Sequence, residues 1–266
     1  MEHEVVDPVR PVAPYQGGKN RLAKTLTARI EATPHELYAE VFVGMGGVFF
    51  RRTRRPKAEV INDYSRDVAT LFRILNRHYT AFIDMLRYQL TSRADFIRLV
   101  ETRPDLLTDL ERSARFLYLQ RAGFGGKVNK RSFGVSMDRP ARFDLSKIEV
   151  MLQDVHERLT GVTIECLDWR DFLTRYDRPA TLFYLDPPYY GCEDDYGKEL
   201  FSRDDFIDMA KALGALKGRF ILSLNDRPEV REIFRGFEIE AVETTYSVGG
   251  GKNSKKVGEV IISKGL

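Results

Sequence analysis

The chain has 266 residues, 43 % of them hydrophobic and 30 % charged, which supports a sizeable core and excludes wholesale disorder. Its formal net charge is only +3 and its pI about 8.7, so any affinity for a polyanion must come from local basic clusters at 51–55, 127–131 and 252–256. The two cysteines, Cys166 and Cys192, fall in no CxxC or Cys/His spacing, and the four histidines are scattered, so neither a disulfide framework nor a metal site is expected. No run of about 18 apolar residues occurs and the N-terminus lacks an apolar signal core. The expectation is a soluble, cytoplasmic protein without membrane association.

In chain order, residues 1–14 read as an extended arm ending at Pro14. The spacing Leu22, Leu26, Ile30 predicts an amphipathic helix from about residue 20. Residues 36–43 form a short apolar strand that runs into Gly44-Met45-Gly46-Gly47, with Val48-Phe49-Phe50 expected to open a helix. Residues 58–63 form a second buried strand. Strand, glycine turn, helix and strand make a βαβ unit and predict a parallel sheet. Residues 66–120 change to helical periodicity through Val68, Leu71, Phe72, Leu75, Phe82, Leu86 and Phe116. A glycine-rich, basic and aromatic segment follows at 123–134 and reads as a loop or hairpin. A helix is predicted over 146–159, strands at 162–166 and 181–185, a helix over 203–217 and a strand at 219–224. Two further β segments, 237–245 and 257–262, flank a glycine-rich stretch. The plan is an α/β domain interrupted by a mostly helical insertion at 76–159. That gives a discontinuous domain of residues 1–75 and 160–266 around the insertion.

The segment Asp186-Pro187-Pro188-Tyr189 places a carboxylate at the carboxyl end of the buried strand 181–185, where open parallel sheets hold their sites. The prolines stiffen the loop and bring no N–H of their own. An aromatic amine has two N–H donors. Asp186 can accept one and the Pro187 carbonyl the other, while the amine's ring stacks on Tyr189. The lone pair of such an amine is delocalised, so acceptors on both hydrogens favour rehybridisation and stabilise the positive charge that grows on nitrogen during attack. The glycine turn at 44–47 allows close approach of a nucleotide-like ligand, and Asp63, ending the next strand, suits ribose hydroxyls.

Together these residues resemble the Dam-type DNA adenine methyltransferases. Pro14-Tyr15-Gln16-Gly17-Gly18-Lys19 is similar to that family's N-terminal motif, and Glu40 to Gly46 to its glycine-rich cofactor motif. Asn62-Asp63 resembles its ribose-binding acid, and Asp168-Trp169-Arg170-Asp171-Phe172 stands just upstream of the catalytic strand. Asp186 to Tyr189 matches the catalytic motif in full. Ser223-Leu224-Asn225-Asp226 and the segment 246–257 resemble the later motifs. The resemblance implies a Rossmann-like S-adenosylmethionine-dependent methyltransferase sheet, with residues 76–159 as a target-recognition domain. It implies S-adenosylmethionine as cofactor, with no metal, and double-stranded DNA as partner, with no obligate protein partner. Tyr15, Lys19, Phe42, Gly44, Gly46, Asp63, Asp168, Trp169 and Asp186 become the cofactor-binding set. In that set Lys19 meets the methionine carboxylate and Trp169 lies against the cofactor adenine.

In the insertion, Phe124 is a candidate wedge for the gap left by a flipped base. Lys127, Asn129, Lys130, Arg131 and, near the C-terminus, Lys252 are candidate DNA contacts. The segment Phe124-Gly125-Gly126-Lys127 departs from the Tyr-Asn-Gly pattern of GATC-reading members. The implied reaction is methylation of adenine N6 at a specific site. N4 of cytosine offers the same amine chemistry but goes more often with Ser at the first position of the tetrapeptide. Methylation of RNA or of a protein glutamine goes with Asn there, and a non-catalytic module would not need intact Asp186, Tyr189, Asp63 and Lys19.

Overall fold

In the computed structural model, which describes residues 3–19, 22–134, 140–191, 201–247 and 254–266, seven strands join in one sheet. The chain enters through β1 (Glu4–Val5) and α1 (Ala23–Ala32), then lays down β2 (Leu37–Glu40). The short β3 (Arg54–Arg55) pairs with β1, and β4 (Ala58–Asn62) lies parallel to β2. Five helices follow: α2 (Arg66–Arg77), α3 (Tyr79–Leu86), α4 (Arg93–Glu101), α5 (Asp109–Ala122) and α6 (Leu145–Arg158). The remainder alternates as β5 (Thr163–Glu165), α7 (Trp169–Tyr176), β6 (Thr181–Leu185), α8 (Arg203–Ala215), β7 (Arg219–Asn225) and α9 (Pro228–Ile233), closing with the hairpin β8 (Glu238–Ser247) and β9 (Ser254–Lys264).

The strand order is β5-β4-β2-β6-β7-β9-β8. From β2 the chain builds outward through β4 to β5, then returns to the other side of β2 for β6 and β7. The strand order therefore reverses between β2 and β6, and the carboxyl ends of those two strands face a common crevice. Only β9 runs against its neighbours, inserted between β7 and β8.

The period-2 alternation of strand side chains divides the core in two. Tyr38, Leu182, Tyr184, Ile221 and Ile261 face one side with Leu26, Phe50 and Phe72. Ala39, Phe183, Leu185, Leu222 and Ile262 face the other, under Phe172, Phe206 and Met209. The first core runs on without a break into Phe82, Phe116, Tyr118 and Leu152, so the helical region α2–α6 shares its interior with one face of the sheet. The expected boundaries at 76 and 159 lie within this shared core.

Most predicted elements appear where periodicity placed them. The helix expected to open at Val48 does not form: Phe49–Arg51 make a single 3-10 turn. Both phenylalanines are buried, and Arg52 immediately turns inward, fully buried with its guanidinium 3.7 Å from the Tyr38 ring centroid. Pro56 then ends any helical continuation. The short helices α7 and α9 were not expected from apolar spacing.

Arg52 shares the buried carboxylate of Glu59 on β4 with Arg158 of α6, whose Nη1 and Nη2 donate at 2.7 and 2.8 Å. Arg55 adds a contact at 3.2 Å. Burial works against the Glu59 charge, but the Arg158 hydrogen bonds and the Arg52 charge hold its carboxyl below the usual carboxylate range. The cluster ties the last helix of the insertion to the sheet. Glu59→Ala leaves two guanidinium groups buried without their acceptor, and a loss of about 3–5 kcal/mol in denaturant unfolding is expected. An unchanged unfolding midpoint would deny the cluster this role.

Candidate active site

A cavity of about 650 Å³ opens at the reversal point between β2 and β6. Its size suits a drug- or cofactor-sized ligand. Its wall includes residues 15–19, 42–45, 63–65 and 186–189, and the helical region adds Arg121, Val128 and Met151.

The glycine turn is shaped for close approach. Gly44 and Gly46 have φ of 50° and 72°, in the left-handed region that favours glycine. A Cβ on Gly44 would sit 2.9 Å from the Tyr15 ring, and one on Gly46 would lie 2.2 Å from Phe50. Asp63 is fixed across this turn. Its Oδ2 accepts from Gly44 N–H and its Oδ1 from Ser65 N–H, each at 2.8 Å. Each oxygen keeps a further lone pair for a ligand hydroxyl. Burial pushes the Asp63 pKa up to about 6, against the pull of the two N–H donors.

Alternation along the sheet also assembles the polar centre. Glu40, Asp186, Ser223 and Glu259 fall in the same phase as Tyr38, Tyr184, Ile221 and Ile261, at the crevice ends of β2, β6, β7 and β9. The Lys19 ammonium, almost wholly buried, reaches Asp186 Oδ1 at 2.9 Å and Glu259 Oε2 at 3.3 Å. It also donates to the Tyr189 hydroxyl at 2.6 Å, and that hydroxyl donates to Glu259 Oε1 at 2.7 Å. Ser223 Oγ donates to Asp186 Oδ1 at 3.2 Å and lies 2.9 Å from the Tyr184 hydroxyl. Both contacts to Asp186 thus fall on Oδ1, while the side chain is 18 % exposed at the cavity. Burial raises the Asp186 pKa to about 6. Lys19 opposes that rise and Glu259 adds to it. Asn225 grips the tetrapeptide's exit: Tyr190 N–H donates to its Oδ1 at 2.9 Å, and its Nδ2 donates to the Tyr190 carbonyl at 3.0 Å.

The sequence-predicted residues separate into three groups. Tyr15, Lys19, Phe42, Gly44, Asp63 and the Asp186–Tyr189 tetrapeptide line the cavity, and Gly46 shapes its turn. Lys19 is committed to the tetrapeptide and Glu259, a different placement from the expected partner of a ligand carboxylate. Trp169 is 4 % exposed and sits in the second core with Arg170 stacked 4.3 Å from its ring. Asp168 caps α7 by accepting from Arg170 N–H at 2.8 Å. Neither is part of the cavity wall among the described residues.

In the loop at 123–134, Phe124 is half exposed with the Arg142 guanidinium 5.8 Å from its ring. Lys127, Asn129 and Lys130 are exposed. Arg131 turns inward to the Gln120 side chain at 3.2 Å and the Lys127 carbonyl at 3.3 Å, and burial lowers its pKa. Lys252 lies outside the described residues.

Glu40 and Glu259 are the acids that sequence reasoning missed as individual site residues. Each is a lone acid in an apolar β run, and that pattern is the signal that could have found them. Glu40 is buried, accepts from the Tyr38 hydroxyl at 2.6 Å, and is pushed by burial up to about 8.

A sheet with one reversed strand beside β7, a glycine turn after its first parallel strand and an acid closing the next define a methyltransferase fold. The family model for D12 class N6 adenine-specific DNA methyltransferases matches residues 15–248, and the chain belongs to this family. It is 26 % identical to a type II methyltransferase of Lactococcus lactis subsp. cremoris, over 96 % of this chain and 95 % of that one. It is 26 % identical to the DNA adenine methylase of Haemophilus influenzae, over 95 % and 92 %. A type II methyltransferase of Paramecium bursaria Chlorella virus NC1A is 20 % identical, over 90 % and 91 %. Among the described residues no helix is long and apolar enough to cross a membrane.

The raised pKa of Glu40 makes stability fall with pH. Folded Glu40 keeps its proton up to about 8, whereas the unfolded carboxyl releases it near 4.5, so folding binds a proton between these values and that stability is lost as pH rises. Asp63 and Asp186 do the same only up to about 6, and His35, lowered by burial to about 4, acts in the opposite sense below 6.5. From pH 6.5 to about 8, the melting temperature of the protein alone should decline, and Glu40→Gln should flatten the decline. Parallel slopes for the two proteins would place the Glu40 pKa elsewhere.

Proposed function

We propose that the protein transfers a methyl group from S-adenosylmethionine to N6 of an adenine in duplex DNA, at a specific site, with the base turned out of the stack into the cavity beside Asp186. The observation that carries this reading is the Asp186 carboxylate, anchored through Oδ1 at the reversal point of the sheet and exposed to the same cavity as Asp63 and the glycine turn.

The residues present fit the cofactor. Gly44 and Gly46 leave a cradle that Cβ atoms would fill or distort, and Asp63 is held by two N–H groups in an orientation suited to ribose hydroxyls. When bound, S-adenosylmethionine supplies an electrophilic methyl on a sulfonium. With Lys19 already shared between two carboxylates, Arg51 of the cavity wall is a better placed cation for the methionine carboxylate. Trp169 packs in the second core and Asp168 caps α7.

Asp186 accepts one N–H of the adenine amine and the Pro187 carbonyl the other, so nitrogen can direct its electron pair at the methyl carbon. Transfer of the methyl to N6 would leave the S–C bonding pair with the departing sulfur and place positive charge on N6, which the Asp186 carboxylate would stabilise. The proton then lost from N6 leaves through Asp186, whose pKa of about 6 allows it to pass the proton on to water. Tyr189 holds the base plane, and rate derives mostly from positioning and electrostatics.

Residues 76–159 are proposed as the target-recognition region, with 1–75 and 160–266 carrying the chemistry. Phe124 is the exposed aromatic of its loop and suits the gap left by the extruded base. Lys127, Asn129 and Lys130 suit phosphate or base edges, while Arg131 holds the loop.

Transfer of a labelled methyl group to unmethylated DNA, followed by nucleoside analysis, tests the reading. Label in N6-methyladenine is expected. Label only in cytosine, RNA or protein would overturn it. Asp186→Ala should lower turnover by about 10²-fold or more while the protein still binds cofactor, because the carboxylate serves the amine. Asp63→Ala should weaken cofactor binding by roughly 10- to 100-fold in calorimetry, the worth of charge-assisted hydrogen bonds. Near-normal turnover in the first variant, or unchanged affinity in the second, would remove that residue from its role.

A further inference from the structure

Strand β9 carries the run Val257-Gly258-Glu259-Val260-Ile261-Ile262, a single acid among apolar residues. Antiparallel pairing with β7 sets Glu259 opposite Asn225 and Ile261 opposite Ser223. The strand therefore delivers a carboxylate, fully buried, to the face that bears Ser223 and Asp186. An ionic group in such a place costs stability that an apolar residue of similar volume would not. Its contacts are specific: Lys19 Nζ at 3.3 Å on Oε2 and the Tyr189 hydroxyl at 2.7 Å on Oε1. Both partners belong to the site, and both touch either Asp186 or its tetrapeptide.

We propose that Glu259 is a positioning residue for methyl transfer, dividing the Lys19 ammonium with Asp186 and anchoring the Tyr189 hydroxyl, so that Asp186 remains a strong acceptor for the amine and the Tyr189 ring keeps one plane. The inference rests on Asp186 as the acceptor of the target amine. A Lys19 ammonium paired with Asp186 alone would draw on the carboxylate's electron density and weaken it as an acceptor. A second carboxylate on the same ammonium relieves that pull. It also gives the group one cation for two acids, a balance that favours the positive charge developing on the amine. The Tyr189 hydroxyl accepts from Lys19 and donates to Glu259, so two fixed contacts hold the phenol tip, and the ring offered to the base is held with it.

The charged and titratable groups facing Asp186 come from five elements: Lys19 from the N-terminal segment, Glu40 from β2, Tyr184 from its own strand, Ser223 from β7 and Glu259 from β9. Among them Glu259 works to raise the Asp186 pKa and Lys19 to lower it. Removing the Glu259 charge should therefore make Asp186 more acidic.

The test is Glu259→Gln, which keeps the shape and one accepting oxygen while removing the charge and the second acceptor. In the cofactor-free protein labelled with carboxyl-¹³C aspartate, the Asp186 resonance is identified by its absence from Asp186→Asn. Its titration midpoint, about 6 in the unsubstituted protein, should fall by roughly one unit, a tenfold loss in proton affinity. The acid limb of kcat should move down with it. Turnover at neutral pH should drop by about tenfold or more while cofactor affinity stays within about twofold, since the residue acts on the amine and not on the cofactor. An Asp186 midpoint that stays in place would overturn the proposal, even if turnover falls, because a merely structural loss does not move that titration in this direction. Should Glu259→Gln not fold, Glu259→Asp withdraws the carboxylate by one methylene and is read the same way: a smaller downward shift supports the proposal and an unmoved midpoint overturns it. The titration does not depend on the substrate. A protein that puts no methyl on adenine would defeat the functional reading, and the Asp186 midpoint would still decide the role of Glu259.

Discussion

The Lys19 ammonium is the interaction on which the rest of the site depends. It is almost wholly buried, and its three partners come from two distant parts of the chain, Asp186 and Tyr189 after β6 and Glu259 on β9. A buried ammonium is tolerable only when its donors are satisfied by charged or strongly polar acceptors. That requirement holds the N-terminal motif, the loop at 186–189 and the strand β9 in one arrangement. Losing any one partner would leave charge buried with less compensation, so the arrangement resists partial disassembly.

The sheet makes this meeting possible through two simple properties. Period-2 alternation sends Glu40, Asp186, Ser223 and Glu259 to one face, and the order reversal between β2 and β6 leaves a crevice at their ends. The antiparallel insertion of β9 beside β7 matters for the same reason. A parallel strand in that position would bring its carboxyl end to the crevice, whereas β9 meets the end of β7 at mid-strand, where Glu259 stands opposite Asn225. A hydrophobic core on each face then fixes the register, since a slip of one residue would exchange the polar centre for the apolar side chains behind it.

Much of this was legible in the sequence where the signal is local. The Asp186 tetrapeptide, the glycine turn and Asp63 each combine a strand end with a residue of distinctive chemistry, and all of them meet at the cavity. The helices and strands with strong periodicity lie within a few residues of their expected places. What was not legible depends on partners far along the chain. The pairing of Lys19 with Glu259 spans most of the sequence, and nothing near Lys19 announces that its charge is already committed. The 3-10 turn at Phe49 replaced a helix because Arg52 is drawn beneath Tyr38 to Glu59, a tertiary contact that local propensity does not register. Trp169 is a similar case: an aromatic beside a polar motif reads equally as a ligand contact or as core, and in this fold it packs in the second core.

The same logic joins the cavity to the loop at 123–134. Gln120, fully buried near the end of α5, donates through Nε2 to the Pro14 carbonyl at 3.3 Å and the Gly126 carbonyl at 3.2 Å, and accepts from Arg131 at 3.2 Å. Gln16 N–H donates to that Gly126 carbonyl at 3.0 Å. Gly126, with φ of 66°, lies so close to the N-terminal motif that a Cβ there would come within 2.8 Å of the Tyr15 nitrogen. Tyr15 in turn covers Gly44 of the glycine turn. One short segment, Pro14 to Lys19, is therefore bonded on one side to the basic loop and on the other to the polar centre. The segment is thus held at both edges, by the Gly126 carbonyl and Gln120 on the loop side and through Lys19 on the side of the polar centre. The basic and aromatic residues of the loop, Phe124 and Lys127 among them, thus share a structural foundation with the polar centre around Asp186.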